Sequence, residues 1–457
     1  MKLGPANRSR SILEQHLADL PGSVYRHPWV WVCLGYCLLL LVREVTLVDG
    51  SLLNSYPFMF SDSFDYVFEG QALAAQFRGI STPDFPELRN PGYVLVQSLS
   101  HLSSRPELIL FFITNTFVCL YLMTPFFLAK AFNVSNYALY TVGLMFLLNP
   151  SNDLFIYILS DAQAMSLMTL SVVCYMIHKK KGQTKYLALA AVLALLGALT
   201  QTYAAIPLLM YMGFESLIRL FDNTNSFRRR IPWKPIAVIG SLGLSYGTIK
   251  YLWMTGIPHD STPANFSLLK LSISNLGFYL DTWGYLLILY GPVVVLVLRN
   301  FRTVKQVVLS NALVWMTLSI VLVFALLAFF YQWRDFRFTF SYLPLVFLSG
   351  LFVLSSKRLP RTRILLQVAI VQILFFGILA GGGPLDKSLQ WIRISPQSTY
   401  VSLLIKAGPM DRGNLKTLCA SPRLICEEAT LQPETTYQER IFKATKQLHS
   451  GLESELP

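Results

Sequence analysis

Charge is what this sequence has least of. Charged residues make up 14% of its 457 residues, whereas soluble domains average about 25%. Hydrophobic residues make up 53%, and the mean hydropathy is +0.48. This composition excludes an ordinary soluble globular protein and indicates an integral membrane protein. The net charge of +13 is assigned to cytoplasmic loops, where Lys and Arg concentrate in membrane proteins, and no nucleic-acid partner is expected.

Common enzyme motifs are missing as well. The sequence has no fixed-period repeat, zinc-ligand pattern, P-loop or Rossmann glycine run. It also lacks a signal-peptide pattern, because residues 1–28 are polar and basic and no small-residue cleavage site follows the first apolar run. That run is therefore expected to remain as a membrane anchor.

Cysteine is scarce, with six residues. Four lie in apolar runs, where Cys usually behaves as a small hydrophobe. Cys419 and Cys426 lie in the polar C-terminal segment. A disulfide between them is expected if that segment faces an oxidising compartment, and two free thiols are the open alternative.

Long apolar runs are what the sequence does contain. About twenty apolar residues cross the hydrocarbon core of a bilayer. Eleven runs are candidate spans: 29–48, 107–130, 137–150, 154–177, 185–200, 203–221, 235–255, 276–298, 307–331, 338–355 and 364–381. The predicted fold is an all-α polytopic membrane protein of about eleven transmembrane helices. A cytoplasmic segment (1–28) precedes this domain (29–382), and an outer tail or small domain (383–457) follows it.

The basic clusters give an orientation. They lie in the N-terminal segment and around Lys179, Arg229, Arg302 and Arg358. If the N-terminus is cytoplasmic and all eleven spans cross, every cluster falls on the cytoplasmic side, as the positive-inside rule requires. The sequence therefore predicts a cytoplasmic N-terminus, an outer C-terminus and an outer loop at 49–106.

That outer loop, between the first two spans, is a conspicuously polar stretch in an apolar chain. Apolar spacing predicts a helix over Ser63–Arg78, and a second short apolar run over Tyr93–Leu102 predicts another. We expect both to lie in the outer membrane interface. Asp65 and Glu69 are expected on the solvated face of the first helix.

Of the charged residues on the predicted outer side, seven are the most notable: Asp62, Asp65, Arg89, Asp161, Arg334, Asp335 and Arg337. A carboxylate can take a proton from an attacking hydroxyl, and arginine can bind phosphate oxygens bidentately. The set therefore suits a reaction between a phosphate-bearing lipid and a nucleophile.

Structural roles for the same residues stay open. Asp62 could serve as a helix N-cap and Arg89 as an interface anchor. Asp161 could hydrogen-bond between helices, although ionisable residues within spans tend to mark function. The arginines at 334 and 337 could pair with Asp335.

Several short motifs resemble those of the GT-C superfamily, the polytopic glycosyltransferases that use polyprenyl-phosphate sugars. Members of this superfamily include protein mannosyltransferases and aminoarabinose transferases. The similar runs, in order, are Ser61-Asp-Ser-Phe-Asp-Tyr66, Arg89-Asn-Pro-Gly-Tyr93, Asn149-Pro150 through Ser160-Asp161, Leu196-Gly-Ala-Leu-Thr200 and Arg337-Phe-Thr-Phe-Ser-Tyr-Leu-Pro344. The fourth motif usually continues into Arg-Pro, where this sequence has Gln201-Thr202.

The resemblance implies a role for each matching residue. Asp62 would be the catalytic base or a carboxylate that positions the acceptor. Asp65 would be a supporting acid or a ligand of a divalent cation, and Asp161 would belong to the same catalytic set. Arg89, Arg334 and Arg337 would bind the donor phosphate, and Tyr66 and Tyr93 would hold the motif in place. The implied reaction transfers a sugar from a polyprenyl-phosphate donor to a lipid, glycan or protein acceptor on the outer face, with inversion. Metal dependence varies in this superfamily, so a divalent cation is neither required nor excluded.

Two other functions fit an apolar chain with these charges. One is a transporter or flippase of lipid-linked saccharides, which would place charges near the bilayer midplane. The other is an envelope polysaccharide polymerase or ligase, whose main polar loop is expected later in the chain. A bacterial inner membrane is favoured over the endoplasmic reticulum.

Overall fold

The computed structural model describes residues 63–79, 89–103, 106–134, 136–147, 149, 160–221, 233–256, 290–330 and 341–355, with isolated positions at 279–280, 283–284, 286–287 and 371. Within these ranges every regular element is a helix. The all-helical fold class is thereby confirmed for the described part of the chain.

The described α-helices run, in chain order, as α1 Ser63–Phe77, α2 Pro91–His101, α3 Pro106–Phe132, α4 Asn136–Leu147, α5 Asp161–Lys181, α6 Thr184–Thr200, α7 Ile206–Phe221, α8 Trp233–Gly256, α9 Gly291–Arg299, α10 Phe301–Ser310, α11 Ala312–Phe330 and α12 Leu343–Leu354. A 3-10 turn at Thr202–Ala205 separates α6 from α7.

Helix α5 is the centre of the bundle. Each of its residues from Asp161 to Ile177 is buried, and it packs chiefly against α3 and α6. It ends at Gly182, whose φ of 70° is the left-handed conformation that closes many helices, and the Gly182 N–H donates to the His178 carbonyl at 2.7 Å. Because α6 begins two residues later, α5 and α6 run antiparallel.

This reversal defines two ends of the bundle, separated by about 30 Å for a helix of this length. We call the end containing Ser160 and Gln201 the Tyr66 end, because Tyr66 contacts both residues. The opposite end, where α5 finishes in three consecutive lysines, is the Lys179 end. The predicted outer and cytoplasmic residues of α5 and α6 therefore lie at opposite ends of these helices.

The predicted span 307–331 contains all of α11, but it begins five residues before that helix does. Its first residues belong to α10, which meets α11 at an angle of 99°. Asn311 makes the break, since its backbone is extended and its side-chain oxygen accepts from the N–H groups of Leu313 at 3.1 Å and Val314 at 3.4 Å. That side chain caps the start of α11 and fixes the direction change.

Other helices lie close to their predicted positions. Both outer-loop helices are present, as α1 and α2, and six of the predicted spans correspond to α3, α4, α6, α7, α8 and α12. The runs 29–48 and 364–381 lie outside the described helices. Among the described residues, Phe112–Phe132 alone is long and apolar enough to span a bilayer, and the bent α10–α11 pair would make a second. The number eleven stays a prediction.

Candidate active site

Three distant parts of the chain meet at the Tyr66 end through polar side chains. The Tyr66 hydroxyl and Ser160 Oγ are hydrogen-bonded at 2.9 Å. The Gln201 amide donates to both oxygens, at 3.0 Å to Tyr66 Oη and 2.5 Å to Ser160 Oγ. Tyr66 and Ser160 are buried, so each of these bonds is worth about 1 kcal/mol of net stability. The three bonds connect α1 to the junctions before α5 and after α6.

Arg89 lies against this network and is held through its main chain. Its N–H donates to both carboxylate oxygens of Glu69, at 2.9 and 3.1 Å. Its carbonyl accepts from the Trp253 indole N–H at 3.0 Å. The guanidinium carbon lies 5.9 Å from the centre of the Tyr66 ring, within the range of a cation–π contact. The position of Arg89 is thus set by α1 and α8 together.

The residues after Arg89 account for the rest of its motif. Asn90 Oδ1 accepts from Lys250 Nζ at 3.0 Å. Pro91 is the first residue of α2, a position where its missing N–H costs nothing. A Cβ added to Gly92 would lie 2.9 Å from backbone atoms of Leu199 and Thr200, so only glycine lets α2 approach the end of α6. Asn90, Pro91 and Gly92 each meet a different structural requirement at this position.

Tyr93 completes the motif. Its ring meets the Tyr66 ring edge to face, with centroids 4.9 Å apart, and both rings are buried. The predicted positioning residues Tyr66 and Tyr93 are therefore in contact. Further along the two helices Gly70 faces Gln97, and a Cβ at Gly70 would collide with that side chain. Close packing of α1 on α2 keeps the tyrosine pair together.

Asp161 is the first residue of α5 and is 3% exposed. We predicted it inside a span that begins at 154, but it lies at the N-terminus of the helix. A carboxylate is favoured there because the helix dipole places partial positive charge at that end. It directly follows Ser160, whose Oγ is hydrogen-bonded to the Tyr66 hydroxyl, and its catalytic role stays a prediction.

Glu69 corrects a second expectation. Predicted to face solvent, it is 1% exposed and binds the Arg89 main chain. Apolar spacing predicts a polar face of α1 that includes Glu69, but the Arg89 N–H binds the Glu69 carboxylate there.

Sequence reasoning missed Gln201, Lys250 and Trp253. Gln201 stands where the resembled motif has arginine, and its amide fills the position with neutral hydrogen bonds. Lys250 carried a usable signal, since it is a single charge inside the apolar run 235–255. Trp253 lies one helical turn further on and carried no such signal.

Several predicted site residues lie outside the described residues: Asp62, Arg334, Asp335, Arg337, Cys419 and Cys426. Asp65 belongs to α1, but its side chain is likewise outside the description. Within the described ranges no group of three or more His, Cys, Asp or Glu side chains is placed to hold a metal ion. The roles of these residues and the metal dependence stay predictions.

Comparison with known proteins identifies the fold. No protein-family model matches the chain, and no curated protein gives a significant match. Among solved structures it is similar to ArnT from Cupriavidus metallidurans, determined in the apo state. The match has a TM-score of 0.54 and 13% identity, and it covers 92% of this chain and 74% of that chain. At this identity the match shows a shared fold, and that fold agrees with the resemblance predicted from the motifs.

Proposed function

We propose that this protein is a membrane glycosyltransferase of the GT-C type. It transfers a sugar from a polyprenyl-phosphate donor to an acceptor at the Tyr66 end of the bundle. The observation that carries the proposal is the meeting of Tyr66, Arg89 and Ser160-Asp161 at one end of an ArnT-like fold. These residues come from three separate sequence motifs.

Arg89 and Lys250 are the proposed ligands of the donor phosphate among the described residues. Lys250 and Arg89 are held close together by two hydrogen bonds between α8 and the segment before α2. The Lys250 ammonium donates to Asn90 Oδ1, and the Trp253 indole donates to the Arg89 carbonyl. Arginine offers a planar pair of N–H donors and lysine a compact charge, and both suit phosphate oxygens. Arg334 and Arg337 are proposed to add to this set.

Asp62 is the proposed catalytic base, four residues before Tyr66 in the sequence. The acceptor hydroxyl gives its proton to the Asp62 carboxylate while its oxygen forms a bond to the anomeric carbon. The bond from that carbon to the phosphate oxygen breaks, and the electron pair leaves with the polyprenyl phosphate. Attack opposite the leaving group inverts the anomeric centre. Cations at the phosphate stabilise the charge that develops there.

The proposed location is a bacterial inner membrane, with the Tyr66 end on the outer side. The composition and the positions of the basic clusters support this orientation. The acceptor is a lipid, glycan or protein reached from that side.

The test is donor cleavage by the purified full chain in proteoliposomes. Radiolabelled polyprenyl-phosphate sugars are supplied with acceptor fractions, and released polyprenyl phosphate is measured. We expect Arg89→Ala to raise the KM for the donor by roughly 10- to 100-fold, the loss typical of hydrogen bonds to a charged group.

Arg78→Ala is the matched control. Arg78 is exposed and donates to the carbonyls of His101 and Leu102, three turns along α1 from Tyr66. Its KM should stay at the parent value. Equal effects of the two substitutions would contradict the assignment of Arg89. Movement of labelled donor across the bilayer without cleavage would replace the transferase by the flippase.

A further inference from the structure

The Lys179 end carries a feature that sugar transfer does not use. Helix α10 has no buried residue, although helices on both sides of it are apolar. Its large side chains Phe301 and Leu309 are 58% and 66% exposed. Such a helix is not a core element of the bundle.

The direction of α10 shows how it would meet a membrane. It is turned 99° from α11, so if α11 crosses the bilayer, α10 lies along the membrane plane. At ten residues it is too short to span the bilayer. Phe301, Lys305 and Leu309 follow one another at four-residue spacing on its exposed face, whereas the half-buried Val304 and Val308 lie nearer the bundle. This is the pattern of a helix that rests in the interface.

Contacts with other helices place α10 at the Lys179 end. It leads directly into α11, whose Trp315 ring lies 6.1 Å from the Phe214 ring of α7. The next residue of α7 is Glu215, which accepts from the Lys179 ammonium. The helix is therefore on the side of the bundle where α5 ends in lysines.

The exposed surface of α10 and the end of α9 is positively charged. Arg299, Arg302 and Lys305 are all exposed, and the sequence contains no Asp or Glu between Asp281 and Asp335. Three cations thus stand along one short interfacial segment with no acidic residue of that segment to neutralise them. Basic residues beside an apolar interfacial face attract anionic lipid headgroups.

We propose that α10 and the end of α9 form a binding surface for anionic phospholipids. The phosphates of the headgroups bind Arg299, Arg302 and Lys305, while the exposed side chains of Phe301 and Leu309 enter the acyl region. The inference depends on the proposed membrane location but not on sugar transfer. The surface holds the base of α11, and with it the bundle, at a fixed height in the leaflet.

The experiment measures lipid preference rather than activity. The full chain is reconstituted in phosphatidylcholine bilayers, and electron spin resonance gives its association with spin-labelled phosphatidylglycerol relative to spin-labelled phosphatidylcholine. We expect the parent to prefer phosphatidylglycerol. The triple variant Arg299→Gln, Arg302→Gln, Lys305→Gln should lose roughly fivefold or more of that preference. The charge-retaining variant Arg299→Lys, Arg302→Lys should keep it.

A second triple variant removes the same number of charges elsewhere at this end. Lys180→Gln, Lys181→Gln, Lys185→Gln should cost less, because these ammonium groups lie 5.3 to 5.8 Å from the centres of the Phe132 and Tyr186 rings. An equal or larger loss in this variant would overturn the proposal, since overall charge would then explain the preference. So would an unchanged preference in the α10 variant, which would favour an acidic protein partner.

Salt dependence keeps the proposal testable if the α10 variant does not fold. The preference of the parent should fall strongly between about 0.05 and 1 M NaCl, because salt screens exposed charges. A preference that does not change with salt would overturn the proposal.

Discussion

Glu69 and Glu215 are mostly buried carboxylates at opposite ends of the same bundle, and they are used differently. Glu215 accepts from the Tyr175 hydroxyl at 2.5 Å and from the Lys179 ammonium at 2.7 Å. Glu69 accepts the main-chain N–H of Arg89. The first carboxylate joins the side chains of α5 and α7. The second fixes where a loop residue stands.

The two carboxylates differ in what they hold in place. A carboxylate that pairs with lysine and tyrosine side chains joins the two helices that carry them. A carboxylate that holds a backbone N–H settles the location of the residue while the residue's own side chain reaches another group, here the face of the Tyr66 ring. Glu69 therefore fixes the position of Arg89 at the Tyr66 end, whereas Glu215 joins two helices at the Lys179 end.

Among the substitutions that test the difference between the two ends, Asp62→Asn is expected to have the largest effect on turnover. Turnover should fall by about 10²- to 10⁴-fold, the usual contribution of a general base, with little change in unfolding temperature. Glu215→Gln at the opposite end should leave turnover at the parent value. Donor cleavage and thermal unfolding of both variants provide the measurement. Near-parent turnover in Asp62→Asn would remove Asp62 from the mechanism.

Glu69→Ala tests the positioning role directly. Loss of both acceptor oxygens from a part-buried N–H should lower the free energy of unfolding by about 2 kcal/mol and raise the KM for the donor. Glu215→Ala should lower stability by a similar amount, because the buried Tyr175 hydroxyl loses its acceptor, but it should leave KM unchanged. Denaturant unfolding in detergent micelles and donor kinetics separate the two results. A raised KM in Glu215→Ala would mean that the ends are not functionally distinct.

Gly92→Ala examines the close approach of α2 to α6. The added methyl would push against the backbone at Leu199 and Thr200, so we expect a loss of about 2 kcal/mol in stability. Gly213→Ala is the matched control within α7, where nothing lies within 4 Å of the added Cβ. It should be neutral or stabilise by up to about 1 kcal/mol, because alanine favours helix over glycine. Equal destabilisation of the two variants would contradict the close approach.

Tyr66→Phe should give the smallest change. It removes the hydroxyl that bonds Ser160 and Gln201 and should cost about 1 kcal/mol of stability, with a modest loss of turnover. Tyr175→Phe removes a comparable hydroxyl from the Lys179 end and should lower stability alone. If both variants lost turnover equally, the Tyr66 network would have no special part in the reaction.

Local sequence patterns were sufficient to predict several elements of this protein. Helices α1 and α2 follow from apolar spacing and from Pro91 at a helix start. The motif at 89–93 and the pair Ser160-Asp161 were identified from residue types alone. The fold-level likeness to ArnT agrees with the resemblance read from these motifs. Such features depend on neighbours a few residues away, which a sequence displays.

Tertiary structure decided what covers each face. Apolar spacing put Glu69 on the polar side of α1, but the segment that buries it comes from twenty residues further along the chain. Gln201 reaches Tyr66 across 135 positions, and Trp253 reaches Arg89 across 164. The turn at Asn311 likewise splits what reads as one apolar run. Periodicity tells which residues share a face, whereas the partner of that face is fixed by the packing of the whole bundle.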